Sequence, residues 1–245
     1  MAVYGFTSAA GSPGVTTTVL GLALEWPGEV LLIDADPVGG SAILAGYFGG
    51  TVAHPGTLVE LWSAHRQGAL AAAVRELPLR LSETASLIPG PAGAAQAGGL
   101  TDLWPALAAQ ARALSSIGVD VLIDLGRLGH HHFATPMARA ADELVLVLRS
   151  DLPSVAAASA AQLPVDVPAR ALLVGSTRPY SASAVASVIK RDVTITVPWL
   201  PEEAAVLSHG GAEPKRGGKL RRGLRQAAEG LQTAALASGK DDPDE

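Results

Sequence analysis

The chain contains no cysteine. Disulfide staples, thiol nucleophiles and zinc sites built on thiolates are therefore excluded. Lysine is nearly as scarce. Four of the eighteen basic residues are lysines, and the first of them is Lys190. Any cation needed near the start of the chain must be an arginine or a group brought from far along the sequence. There is no large charge excess either: the net charge is −5, too small and of the wrong sign for a polyanion-binding chain. Long apolar runs are missing. The uncharged stretch TASLIPGPAGAAQAGGLT is broken by glycine and proline, and nothing reads as a membrane-spanning helix. A cationic start followed by an apolar core and a small-residue cleavage site is absent too. Residues 2–8 read as a strand instead of a secretory leader, so the expectation is a cytoplasmic protein. No G-x-S-x-G elbow is present, and no Ser/His/Asp hydrolase pattern stands out.

What is present is a regular alternation. Apolar runs of strand length occur at 2–7, 30–35, 85–90, 119–124, 143–149, 169–175 and 193–199. They are nearly continuous, as expected of strands covered on both faces. Helix-like segments lie between most of them: 16–25, 57–67, 103–115, 153–162 and 182–190. This order predicts an α/β fold with a mostly parallel sheet sandwiched between helices. The loops after the strands then gather along one sheet edge. No internal repeat and no firm domain boundary is visible, so residues 1–237 are expected to form a single domain. Residues 89–101 read as a low-complexity, mobile loop. The acidic tail 238–245 is expected to be disordered.

Three segments carry chemistry. The first is AAGSPGVTTT, residues 9–18, between a strand and a helix. Gly11 and Gly14 permit backbone angles and close approaches denied to other residues. Successive N–H groups can then form an anion nest at a helix start. Thr16 and Thr17 stand where hydroxyls suit magnesium and a phosphate. The same segment reads equally as a plain strand-to-helix connection, because Val15 stands where a phosphate-loop lysine is expected. The second segment, VLLIDADPVGG, ends a strand with Asp34 and Asp36 on one face. The third, VDVLIDLGRL, ends another with Asp124. A carboxylate at the exit of a buried strand is costly unless it is paired or placed at an active edge. Three of them facing a glycine loop fit magnesium and water handling.

Together these segments resemble the ParA/MinD-like branch of P-loop ATPases, whose deviant Walker A motif reads roughly K-G-G-x-G-K-T-T. Residues Ala10, Gly11, Ser12, Pro13, Gly14, Val15, Thr16 and Thr17 occupy that motif, with both lysines and one glycine replaced. Asp34, Asp36, Pro37, Gly39 and Gly40 match the family's D-x-D-P-x-G-G. The resemblance implies a P-loop NTPase-like fold, with ATP and Mg2+ as ligands weakened by the missing lysine. It implies Asp36 as the residue orienting the attacking water, Asp124 as the Walker B carboxylate, and Thr16, Asp36 and Asp124 around the metal. Weaker likenesses in LLVGSTRPY and VPWLPEEAAVLS implicate Ser176, Arg178 and Pro198 at the base. The combination is most similar to actinobacterial MinD-like proteins and to the CpaE/TadZ localisation factors of Tad-type pilus or secretion systems. A face-to-face homodimer and protein partners are implied accordingly. The expected activity is that of a localisation or assembly scaffold with weak or absent hydrolysis. The alternatives are an active ATPase in which an arginine such as Arg127 replaces the lysine, and a DNA-partition factor.

The alternative of a DNA or membrane partner rests on Lys215, Arg216, Lys219, Arg221, Arg222 and Arg225. Leu220, Leu224, Ala227, Ala228 and Leu231 recur there at helical spacing. A terminal helix packing its leucines inward, with solvated arginines outside, is the favoured reading. His130, His131 and His132 read as a solvated loop, and Trp62, Trp104 and Trp199 as core or interface residues.

Overall fold

The computed structural model describes residues 1–52, 54, 57–175, 179–211 and 218–238. Ser176 and Arg178 lie outside the described residues, as do Lys215, Arg216 and the acidic tail from 239 onward.

Among the described residues the sheet has eight strands: β1 (Val3–Ser8), β2 (Val30–Asp34), β3 (Leu79–Arg80), β4 (Ala85–Ile88), β5 (Asp120–Arg127), β6 (Glu143–Arg149), β7 (Ala169–Val174) and β8 (Val193–Val197). Their order is β3-β4-β2-β5-β1-β6-β7-β8. All neighbours are parallel except β3, which pairs antiparallel with β4 at the edge. The apolar runs are continuous because both faces are covered, and β1 and β2 are buried at every residue.

Ten helices are described: α1 (Val15–Leu24), α2 (Leu58–Arg66), α3 (Leu70–Glu76), α4 (Ala94–Gly99), α5 (Leu103–Ser116), α6 (Thr135–Ala140), α7 (Leu152–Ser159), α8 (Ala182–Ile189), α9 (Pro201–His209) and α10 (Lys219–Ser238). Alternate strand residues feed two cores, one on each side of the sheet. Val3, Leu31, Ile33, Val121 and Ile123 face α2, α3 and α5 to α8. Tyr4, Phe6, Val30, Leu32 and Leu122 face α1 and α10. Start signals are local: Thr57 and Glu60 close a capping box on α2, and Asp151 and Ser181 cap α7 and α8.

The closing helix α10 buries Leu220, Leu224, Ala227, Ala228 and Leu231 against the second core. Leu231 also accepts a 2.9 Å hydrogen bond at its carbonyl from the Tyr4 hydroxyl. Its arginines lie on the exposed face as expected, and two of them are also paired. Arg221 and Arg225 both reach the buried carboxylate of Glu25 just beyond α1, each at 2.5 Å. One departure from the sequence reading follows from packing. The segment expected to be a mobile loop contains α4, which buries Ala97. Residues Ile43–Tyr47 wind into a short π-helical turn. Among the described residues no helix is long and apolar enough to cross a membrane.

Candidate functional site

In this strand order the chain leaves β1 toward β2 on one side, while β6 to β8 extend the sheet on the other. Such a reversal opens a crevice at the carboxyl ends of the strands. The loop from Ala9 to Gly14 crosses that crevice and feeds α1. Gly14 forms the helix start in the left-handed region, at φ 95°, where a side chain would be strained. No side chain caps α1, so its first amides face the crevice as donors for an incoming acceptor. Val15 is 7 % exposed and packs into the core beneath the loop, so an apolar side chain fills the place where a lysine was looked for.

The structure brings the loop and the three carboxylates together. The Thr16 hydroxyl donates to Asp124 Oδ2 at 2.5 Å, and the Gly126 amide donates to Asp124 Oδ1 at 2.9 Å. Asp34 and Asp124 are register partners on β2 and β5. Asp34 accepts from the Asp36 amide at 3.3 Å, and Asp36 from the Val38 amide at 2.9 Å. A Cβ on Gly126 would lie 2.5 Å from the Asp36 carboxyl carbon, so the absence of a side chain there lets Asp36 lean over the end of β5.

Burial raises the Asp124 carboxyl to about 7, and the Asp34 charge adds to the effect against the hydrogen bonds from Thr16 and Gly126. Burial also lifts Asp34 to about 6, opposed mainly by its hydrogen bond with the Ser41 hydroxyl. Two buried acids side by side favour holding a proton until a cation arrives. Among the described residues no group of three or more acidic or histidine side chains forms a ready metal cage. Magnesium seldom needs one, since it keeps waters and uses one or two carboxylates with substrate phosphates.

The loop separates two hollows. One, of about 390 Å³, is lined by the loop residues Gly11 to Thr17 together with Asp36, Gly126 and the exposed Arg127. The other, of about 370 Å³, is largely apolar. It shares Ser12, Pro13, Gly14 and Thr17 and adds Val174, Pro198, Trp199 and Leu200. A flat apolar group and a string of anionic groups thus have adjoining spaces across one glycine loop. Trp199 is no core residue: it is 49 % exposed and lies in the wall of the apolar hollow.

Sequence reasoning also passed over Arg149. Its guanidinium carbon lies 4.2 Å above the Trp199 ring, and its Nη2 donates to the Ser12 carbonyl at 3.2 Å. The visible signal was the arginine ending the run ELVLVLR, at the same sheet edge as the aspartates. The three histidine rings cluster: His130 stacks on His131 at 4.9 Å, and His132 lies tilted against His131 with ring centres 3.7 Å apart. They are no part of either hollow.

A scan against protein-family models finds no match, and a search of curated proteins finds none either. Solved structures do match. The cell-division ATPase MinD of Pyrococcus furiosus superposes with a TM-score of 0.73 at 16 % identity, covering 95 % of this chain and 99 % of that one. The fold is that of the ParA and MinD ATPases. A ParA family ATPase from Chlorobium tepidum gives 0.70 at 19 % identity, over 94 % of this chain and 98 % of that one. Cobyrinic acid a,c-diamide synthase from Mycobacterium smegmatis, solved with an ATP analog and magnesium, gives 0.65 at 20 % identity over 97 % and 96 %. The ParA/MinD fold therefore also carries synthase chemistry, and function has to be argued from the site.

Proposed function

We propose that this chain is a nucleotide-binding localisation or assembly scaffold of the ParA/MinD type, which binds ATP with magnesium and hydrolyses it weakly or not at all. The observation that carries this reading is the Thr16–Asp124 hydrogen bond beneath a glycine loop whose next residue back, Val15, is buried in the core. The hydroxyl and carboxylate suited to a hydrated divalent cation are in place, and the loop's own cation is not.

The amides at the start of α1 would donate to the phosphates, Thr16 with Asp124 would hold the metal, and Pro198 and Trp199 would flank the base. Ser176 and Arg178 remain proposals of the same kind near the base. Magnesium, when bound, neutralises phosphate charge. Asp36 leans over Gly126 into the loop compartment, where it would orient a water. Hydrolysis demands more than binding, because it depends on cations meeting charge that develops in the transition state. Losing one charged donor weakens binding by about ten- to a hundredfold. Ala10 removes a second cation, the one that a face-to-face dimer partner would otherwise contribute. Dimerisation across this edge, and protein partners such as those of a Tad-type apparatus, complete the proposal. A DNA-binding role through α10 is less well supported, since Arg221 and Arg225 are engaged by Glu25.

The test is titration of the purified protein with ATP and magnesium, paired with a phosphate-release assay. Saturable binding with negligible turnover is expected. Turnover typical of lysine-bearing relatives, abolished by Asp36→Ala, would overturn the weak-hydrolysis half and favour Arg127, which lines the Asp36 compartment, as the substitute cation. Absence of binding up to about millimolar ATP would overturn the nucleotide half.

A further inference from the structure

We infer that Arg149 supplies, from the end of β6, the phosphate-binding cation missing from the glycine loop, and that it does so on the base side of that loop. The inference rests on the nucleotide reading above. Three observations point the same way. Arg149 lines the apolar hollow together with Ser12, Pro13, Gly14 and Thr17, so its guanidinium sits where the loop meets the space for a flat apolar group. Like most described arginines it takes part in no ion pair among the described residues, so no carboxylate competes for it there. Its Nε is buried with no acceptor, so protein groups alone do not satisfy this guanidinium.

The side chain is also held in advance. Stacking on the Trp199 ring fixes the guanidinium plane, and the bond to the Ser12 carbonyl ties one end to the loop. An arginine offers five donors in a rigid fork, so the bond to Ser12 leaves others for a phosphate. Arg149 does not line the compartment that holds Asp36 and Gly126. The phosphate within its reach is thus the one nearest the sugar, not the terminal one. A cation there aids binding of diphosphate and triphosphate alike and contributes nothing to cleavage at the far end. Trp199 would thus serve twice, flanking the base and holding the Arg149 guanidinium.

The experiment compares binding of ATP and ADP, each with magnesium, to the wild-type protein and to Arg149→Ala, Arg149→Lys and Trp199→Ala. Thermal midpoints without nucleotide confirm folding. Arg149→Ala is expected to weaken both nucleotides equally, by about ten- to a hundredfold. Arg149→Lys should recover part of that loss, and Trp199→Ala should give a smaller loss for both. If Arg149→Ala does not fold, a smaller and equal loss for both nucleotides in Arg149→Lys supports the inference, and unchanged binding in that variant overturns it. Wild-type binding left unchanged by Arg149→Ala, or weakened for ATP alone, overturns the inference while the nucleotide reading stands. A wild-type protein that binds neither nucleotide overturns both.

Discussion

Asp34 and Asp124 stand side by side as register partners on neighbouring parallel strands, and both are sealed from solvent. Each carboxyl titrates well above the ordinary carboxylate range, Asp124 at about 7 and Asp34 at about 6. Between roughly pH 4 and 7 the native protein therefore holds protons that the unfolded chain has released. Stability from this pair is complete below pH 4 and is lost as pH rises through 6 and 7. In buffer free of metal and nucleotide, Asp124→Asn should match the wild type only at about pH 4 or below. It should exceed it at pH 8 by about 1 kcal/mol or more, or about 2–4 °C in thermal midpoint. A midpoint difference that stays constant across that range would show that the pair does not titrate as described.

Gly126 ends the buried part of β5 with φ +64°, and a Cβ there would press on the Asp36 carboxylate at 2.5 Å. Gly126→Ala combines backbone strain with displacement of Asp36, and should cost on the order of 1–3 kcal/mol in denaturant unfolding. It should also remove whatever phosphate release the wild type shows. An alanine variant as stable and as active as the parent would contradict the contact.

Gly21 on α1 lies against Leu224 on α10 so closely that a Cβ would sit 2.5 Å from the Leu224 Cδ1 atom. Leu224→Ala should cost about 2–5 kcal/mol by opening a cavity. Gly21→Ala alone should be destabilising through overpacking. In the Leu224→Ala background the same change should become neutral or stabilising, because the new methyl fills vacated space and alanine favours helix. Additive losses in a double-mutant cycle would refute the packing.

Much of this was legible before any coordinates. Parallel strands buried on both faces write themselves as uninterrupted apolar runs, so VLLID and ELVLVLR are visible at once and their ends bracket the sheet edge. The acidic residues that end VLLID and VDVLID were visible for the opposite reason: nothing in a buried run explains them. Other parts depend on distant partners. α4 forms in a segment of glycine and alanine because Ala97 finds a core to enter. Arg149 reads as an ordinary strand end until Trp199, fifty residues later, is seen beneath it. Arg221 and Arg225 are exposed as their spacing suggests, but their shared partner Glu25 lies about two hundred positions away and is not legible.

Position 39 has a Cβ direction aimed 2.4 Å from the main chain of Gly93. The turn that follows Asp36 therefore rests backbone-on-backbone against the stretch between β4 and α4, and the Gly40 amide donates to the Pro91 carbonyl beside it. The composition of 89–101, which looks like filler, thus decides how far the turn carrying Asp36 can swing. Bulk added at residue 39 would pry that turn outward, with no change to any acidic group or to the glycine loop itself.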